Sequence, residues 1–235
     1  MSTTIAHPYT RGDRGVAQPR GPVVASTARR HFLFALAVDW SERILLSGLF
    51  TWQIYRMFGD FYGPEGSIVS FALLPSVTLL MFCTLTRRTT TRFTRKPLEW
   101  AVAMAASLAP FCFTPHAGAA LIPASCGIAI IFSGLLIDLY SQFFLGRSFG
   151  CIPANRGLKL GGPYRFVRHP MYAGYLVSHT GFVLLNATWL NLMVFAACYL
   201  SQIPRLLLEE RLLGEELPYR EYMEQVRYRL VPGIF

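Results

Sequence analysis

The stretch GGPYRFVRHPMYAGY, residues 161–175, places cationic and aromatic side chains directly before an apolar segment. Arg165, Arg168 and His169 precede Pro170, and a proline suits the first position of a helix. Because the residue before a proline avoids the helical region, the spacing predicts a helix that begins at about residue 170. The free N–H groups of that helix and the neighbouring arginines together predict an anion-binding site.

Two tyrosines, Tyr164 and Tyr172, flank this predicted anion site. Their rings would provide a flat wall for a planar group, or part of an aromatic belt at a membrane interface. The simpler alternative is that the whole stretch is an anchor whose arginines contact lipid phosphates. The histidine and the tyrosines fit that anchoring role less well.

A second polar cluster follows the last apolar run, in the sequence PRLLLEERLLGEELPYREYMEQVRYRLVPGIF. Glu209 and Glu210 come directly after the run, and adjacent helical residues point about 100° apart. If the last two runs form a hairpin, their polar ends meet, and one of the two glutamates faces a common site with Arg168 and His169. The alternative is that both glutamates lie on a solvated helix end.

The residues beyond this cluster form an amphipathic pattern. They include two tyrosines and two arginines, Tyr219, Tyr222, Arg227 and Arg229. A helix of this kind can lie on a membrane surface, where it would cover the site.

The composition favours a membrane protein. Of the 235 residues, 53% are hydrophobic and 15% are charged, whereas soluble domains carry about 25% charged residues. The net charge of +9 does not favour nucleic-acid binding, because the basic residues lie between apolar runs and not along one face. None of the five cysteines forms a CxxC pair, so we expect buried thiols, with no disulfide framework and no zinc site.

Six apolar runs follow a polar stretch, residues 1–30, that we expect to be a disordered tail. The runs cover residues 32–57, 67–85, 98–115, 119–145, 171–186 and 189–208. A spanning helix needs about 20 residues, which the first four runs provide, some only with their flanks. The last two, separated by the uncharged NATWLN, resemble a helical hairpin with a short first arm. The sequence thus predicts an all-α integral membrane protein of five to six transmembrane helices that ends in a helical hairpin and an amphipathic C-terminal helix.

The basic residues alternate between the loops. Three alternate segments carry five each: Arg11, Arg14, Arg20, Arg29 and Arg30; Arg87, Arg88, Arg92, Arg95 and Lys96; and Arg147, Arg156, Lys159, Arg165 and Arg168. The other loops contain almost none, apart from Arg56 at one edge. By the positive-inside rule this pattern predicts that both termini and the anion site are cytoplasmic.

Charged and titratable residues within the apolar runs are functional candidates. Asp39 and Arg43 are four residues apart on one helix, so we expect them to pair with each other. Asp138 and His179 have no evident local partner, and each would either line a cavity or bond to a neighbouring helix.

The motifs of the last ninety residues resemble those of a known family. LGRSFG, GPYRFVRHPMYAGY and EERLLGEELPYREYMEQVRYRLVPG resemble the isoprenylcysteine carboxyl methyltransferases and, more broadly, the membrane methyltransferases that include phospholipid N-methyltransferases. The first 140 residues match this family only as generic membrane helices. One departure is Leu217-Pro218, where many members have Phe-Gly before the Tyr-x-x-Tyr pair.

The resemblance implies that S-adenosylmethionine binds at the cytoplasmic interface and that a lipophilic acceptor reaches it from the bilayer. The residues implied to contact the cofactor are Tyr164, Arg168, His169, Pro170, Tyr172, Glu209 or Glu210, and Tyr222. Arg168 and His169 would suit the cofactor carboxylate, a glutamate its amino group or ribose hydroxyls, and a tyrosine its adenine. Residues 146–235 would form this catalytic region, and helices within residues 31–145 would form the acceptor cavity.

The acceptor decides which residues act in methyl transfer. A carboxylate acceptor, such as that of a prenylcysteine, is already ionised at pH 7 and needs only a cation to hold it. Arg205 or Arg229 would serve, with Arg168 and Glu210 also expected to be essential. A phospholipid amine or a small thiol would instead need a proton removed, by a glutamate or by His169.

Two other functions compete with this interpretation. Membrane sterol reductases share an Arg-His-Pro-x-Tyr motif and bind NADPH, but their motif tends to contain Asn where this chain has Met171. A small transporter or an assembly protein is the non-enzymatic alternative, although the sequence contains no evident internal repeat. Failure to bind any nucleotide-like cofactor would favour that alternative.

Overall fold

A computed structural model describes residues 22–63, 68–90, 93–94, 96–115 and 118–235, and this part of the chain is helical with no strands. Each of the six apolar runs corresponds to one helix. The helices are α1 (Pro22–Tyr62), α2 (Ile68–Thr86), α3 (Pro97–Leu108), α4 (Ala124–Leu145), α5 (Pro170–Leu185) and α6 (Trp189–Leu213), followed by the short amphipathic α7 (Leu217–Gln225).

Helix α1 begins earlier than the sequence suggested. Residues 22–30 were assigned to the polar tail but are helical, and residues 1–21 lie outside the described residues. The start agrees with local chemistry, because Pro22 suits the first turn of a helix and neither glycine nor proline recurs before Gly48.

Two helices among the described residues are long and apolar enough to cross a membrane, Ala124–Ser148 and Trp189–Leu213. Within the apolar 18-residue window of each helix, 33% of the residues are buried inside the protein, so the larger part of this window is not enclosed by it. Because α3 and α5 contain 12 and 16 residues, both are shorter than the roughly 20 that a span requires. The predicted total of five to six transmembrane helices is therefore not confirmed.

Helices α4 and α5 pack antiparallel with their backbones in close contact. A Cβ added to Gly174 on α5 would lie 2.7 Å from the backbone nitrogen of Asp138 and 2.8 Å from the carbonyl oxygen of Gly134. A Cβ on Gly181 would likewise lie 2.9 Å from side-chain carbons of α4. Small residues permit such an approach, and it holds the start of α5 against the end of α4.

The helix ends gather into two groups. At one end of the bundle, which we call the polar end, the Arg88 N–H donates to the Arg147 carbonyl at 2.9 Å and Arg168 meets Glu210. At the other end, the Leu121 N–H donates to the Leu184 carbonyl at 2.8 Å. Arg88 of one basic segment thus lies beside Arg147 of the next, and Arg92 and Arg95 lie outside the described residues. The side of the membrane they face remains a prediction.

The predicted hairpin is present. Helix α5 ends at Leu185, and α6 begins at Trp189 after the Thr188 side chain accepts a hydrogen bond from the Asn191 N–H at 3.0 Å. Leu217 and Pro218, the departure from the family motif, occupy the first two positions of α7, where proline is tolerated.

The charged and titratable residues within the runs have partners. Arg43 Nε lies 2.7 Å from Asp39 Oδ2, which confirms their predicted pairing. Asp138 Oδ2 accepts hydrogen bonds from Ser76 at 2.6 Å and from Gln142 at 2.7 Å. His179 contacts the Tyr199 hydroxyl at 3.1 Å. Both of these side chains therefore bond to neighbouring groups in the bundle.

Candidate functional site at the polar end

The start of α5 agrees with the sequence. The helix begins at Pro170, and His169 precedes it in a non-helical conformation with φ −128°. The N–H groups of Arg168 and His169 donate to the carbonyls of Tyr228 and Arg229, both at 2.9 Å. The C-terminal segment is thus held directly against the residues that precede α5.

Glu210 connects three cationic or titratable side chains at this end. Arg168 Nε lies 2.6 Å from Oε1, and His169 Nε2 lies 3.1 Å from the same oxygen. Arg229 Nε lies 2.9 Å from Oε2. The two ends of the hairpin therefore meet as predicted, and the anion beside Arg168 and His169 is a carboxylate of the chain itself.

A cleft opens beside this group. It is bounded by the end of α4, the loop 154–159, the start of α5, the end of α6, and α7. Its lining residues are Leu145, Ser148, Ala154, Arg156, Gly157, Leu158, Lys159, Tyr164, Arg168, His169, Met171, Tyr172, Glu209, Leu213, Tyr219 and Tyr222.

Six of the sequence-predicted residues line the cleft: Tyr164, Arg168, His169, Tyr172, Glu209 and Tyr222. Of the two candidate glutamates, Glu209 is among these lining residues, whereas Glu210 is not and pairs with Arg168. Pro170 begins α5 without lining the cleft, and Arg205 lies one helical turn before Glu209 on α6.

Aromatic side chains form much of the cleft wall. The rings of His169 and Tyr172 stack with centroids 5.6 Å apart, and the Tyr172 hydroxyl donates to Glu209 Oε2 at 3.1 Å. The Tyr222 hydroxyl donates to the carbonyl of Tyr164 at 2.7 Å. Burial raises the pKa of Tyr222 to about 12, so its hydroxyl remains neutral and able to donate at pH 7.

Tyr219 differs from these neighbours. Its hydroxyl is buried and has no hydrogen-bond partner among the described residues. Tyr219 lines the cleft, and its hydroxyl is a donor without an acceptor in the described part of the protein. The sequence indicated Tyr219 only as part of an amphipathic pattern.

Arg205 is a buried cation of a different kind. It is 5% exposed, and its guanidinium lies 5.4 Å from the centre of the Tyr172 ring. Nη1 donates to Ser107 Oγ at 3.3 Å, and Nη2 donates to the Gly150 carbonyl at 3.2 Å. Among the described residues no carboxylate forms an ion pair with it.

Sequence reasoning missed a second buried charge cluster, which we call the Glu42 cluster. Its members are Asp39, Glu42, Arg43, Arg87 and Arg156, all less than 10% exposed. Arg87 bridges the two carboxylates, at 2.8 Å from Asp39 Oδ1 and 2.8 Å from Glu42 Oε1. The spacing of Asp39, Glu42 and Arg43 on one face of an apolar helix was the signal that could have indicated it.

The Glu42 cluster fastens one wall of the cleft to α1 and α2. Glu42 Oε1 accepts hydrogen bonds from the N–H groups of Cys151 at 2.6 Å and Ile152 at 3.1 Å. Glu42 Oε2 lies 3.4 Å from Arg156 Nη2, and Arg156 lines the cleft. Helices outside the predicted catalytic region therefore position the loop that forms this wall.

Comparison with known proteins shows a similarity in the central part of the chain. No curated protein matches the chain. A family model described as phospholipid methyltransferase matches residues 116–218, a range that contains α4 to α6 with the Arg-His-Pro-x-Tyr motif and Glu209. Methyltransferases of this family use S-adenosylmethionine. Residues 116–218, less than half of the 235 residues, are thus similar to the phospholipid methyltransferase family.

Proposed function

We propose that the protein transfers the methyl group of S-adenosylmethionine to a lipophilic acceptor that carries a carboxylate, such as a prenylcysteine. The observation that carries the acceptor class is Arg205, a buried arginine that no carboxylate of the described residues approaches within ion-pair distance. A buried charge without a partner of opposite sign is unfavourable, so the binding of an anion beside this cation would be stabilised. The family match supports the methyltransferase class and leaves the acceptor open.

The groups that line the cleft fit the cofactor. Tyrosine rings offer flat surfaces to an adenine, and Glu209 offers a carboxylate to the amino group or the ribose hydroxyls. The unpaired hydroxyl of Tyr219 is a further group without a partner inside the described protein. When bound, S-adenosylmethionine supplies an activated methyl group for in-line displacement, so alignment of the acceptor provides most of the rate.

The position of Arg205 suits an acceptor beside that cofactor. Arg205 and Glu209 are four residues apart on α6, so they share one face of the helix. The alternative cation, Arg229, is already paired with Glu210 at 2.9 Å. A carboxylate acceptor is ionised at pH 7, and Arg205 would orient it without any proton transfer.

In this proposal the group around Glu210 has a supporting role. Arg168 and His169 line the cleft, but their charged or polar edges face Glu210. Arg168 and Glu210 would therefore hold the start of α5 against the end of α6, and the walls of the cleft depend on that contact.

A phospholipid amine is the second candidate acceptor, because the matched family is described by phospholipid methylation. An amine would have to lose a proton, and Glu209 is the carboxylate among the cleft-lining residues that would accept it. A small thiol would likewise have to lose a proton to a group in the site.

The first test is calorimetric titration of the detergent-purified protein with S-adenosylmethionine and, separately, with NADPH. We expect micromolar binding of S-adenosylmethionine and a loss of about tenfold or more in Glu209→Gln, since a hydrogen bond to a charged group contributes about 1.5–3 kcal/mol. Glu224→Gln is the matched control, because Glu224 is exposed on α7.

Binding of NADPH alone would assign the protein to the reductases, and binding of neither compound would contradict an enzymatic role for the cleft. If S-adenosylmethionine binds, methyl transfer to an S-prenylcysteine with a free carboxylate is compared with transfer to phosphatidylethanolamine vesicles. Methylation of the vesicles alone would replace the carboxylate acceptor by the phospholipid amine.

A further inference from the structure

We propose that Arg156 receives the carboxylate of the ligand in the cleft and that Glu209 receives its ammonium group, so that these two residues bracket an amino-acid moiety. The proposal rests on the proposed function, in which that moiety belongs to S-adenosylmethionine. It assigns the anion to the Glu42 cluster and not to the start of α5.

The cations at the start of α5 have little capacity left for a further anion. Arg168 donates from Nε and Nη2 to Glu210, at 2.6 and 3.4 Å, and from Nη1 to the carbonyls of Val226 and Arg227. His169 Nε2 lies 3.1 Å from Glu210 as well. The carboxylate of Glu210 therefore already occupies the anion position that the sequence predicted.

Arg156 retains a donor. It is 7% exposed and lines the cleft, and its Nε is buried without a hydrogen-bond partner among the described residues. Its other nitrogens make only long contacts, Nη1 to the Ile152 carbonyl at 3.2 Å and Nη2 to Glu42 Oε2 at 3.4 Å. A buried N–H without an acceptor is unfavourable, so a ligand oxygen at this position would be stabilised.

The charge balance of the Glu42 cluster also favours the binding of a ligand anion at Arg156. Its three arginines face two carboxylates, and Arg87 binds both of them at 2.8 Å. Arg156 is thus left sharing Glu42 with a closer cation. Burial lowers the pKa of Arg156, as expected for a desolvated cation whose carboxylate partner is shared. One more anion would balance the cluster.

Glu209 completes the pair. It is the carboxylate among the residues that line the cleft, and the Tyr172 hydroxyl orients it by donating to Oε2 at 3.1 Å. Lys159 also lines the cleft, but it is exposed, so water screens its charge more than that of Arg156. A zwitterionic end of a ligand would therefore meet a buried cation and an oriented carboxylate.

The test compares two ligands that differ in one group. Calorimetry measures binding of S-adenosylmethionine and of its decarboxylated analogue, which keeps the adenosine, the sulfonium and the amine, to wild type and to Arg156→Gln. We expect Arg156→Gln to weaken S-adenosylmethionine by about 10- to 100-fold and to leave the analogue within about twofold. Arg227→Gln, at an exposed arginine, should alter neither affinity.

The possible results separate this proposal from the function on which it rests. Equal weakening of both ligands in Arg156→Gln would mean that Arg156 only maintains the wall, and unchanged binding of both would mean that it does not contact the ligand. Either result overturns the inference while leaving a methyltransferase. A third result is that Arg168→Gln, and not Arg156→Gln, abolishes the difference in affinity between S-adenosylmethionine and its decarboxylated analogue. That result would place the carboxylate of the ligand at the start of α5. Failure of wild type to bind either ligand would contradict the proposed function itself.

Discussion

Arg168 Nε lies 2.6 Å from Glu210 Oε1, and this buried ion pair joins the segment just before α5 to the end of α6 across 42 positions of sequence. The same carboxylate also meets His169 and Arg229. One side chain therefore holds together the C-terminal segment and two of the elements around the cleft, the start of α5 and the end of α6.

Glu210→Gln is expected to destabilise the protein, because it removes the charge that compensates Arg168 and Arg229. Leaving a buried cation without its partner typically costs about 3–5 kcal/mol. Thermal unfolding in detergent measures the effect, with Glu215→Gln, at an exposed position one turn later, as the control. A melting temperature equal to that of wild type would show that Glu210 is not the connecting group.

Arg205→Gln is expected to impair methyl transfer to the acceptor while leaving binding of the cofactor nearly unchanged. Binding of S-adenosylmethionine should remain within about threefold of wild type, whereas kcat/KM for an acidic lipophilic acceptor should fall by about 10- to 100-fold, the range for loss of one charged hydrogen bond. Calorimetry and a methyl-transfer assay give the two values. Equal losses in both measurements would assign Arg205 to the structure of the cleft and not to the acceptor.

Tyr219→Phe and Tyr222→Phe form a matched pair on α7 with different expected effects on stability. The Tyr222 hydroxyl donates to Tyr164 at 2.7 Å, so its removal should cost about 1 kcal/mol. The Tyr219 hydroxyl is buried without a partner among the described residues, so its removal should leave the stability of the free protein unchanged or higher. Thermal unfolding without ligand measures both variants, and a clear loss in Tyr219→Phe would reveal a partner for that hydroxyl.

Gly174→Ala tests the contact between α4 and α5. A Cβ there would lie 2.7 Å from the Asp138 nitrogen, a backbone atom, so we expect a loss of about 1–3 kcal/mol from overpacking. Gly48→Ala on α1 is the control, because a Cβ there has no neighbour within 4 Å and alanine favours a helix by about 0.5–1 kcal/mol. If both substitutions stabilise the protein, the two helices are not in close backbone contact.

The local features of this protein could be read from the sequence. The apolar runs predicted the six helices, Pro170 predicted the start of α5, and the spacing of Asp39 and Arg43 predicted their pairing. Each of these depends on neighbours within about one or two turns of the chain, where periodicity and backbone stereochemistry decide the outcome. The number of helices that span a membrane was not confirmed, because helix length does not follow from an apolar run alone.

By itself, then, the sequence determined the positions of the helices and the chemistry gathered at the polar end, since helix formation and apolar patterning act over short stretches. Only the tertiary structure decided which charges compensate one another. Glu210 pairs with Arg168, and Glu42 contacts Arg156, 114 positions away. Arg205 has no carboxylate of the described residues within ion-pair distance. The partner of a buried charge depends on which side chains the packing brings within about 4 Å, and that distance is set by the whole fold.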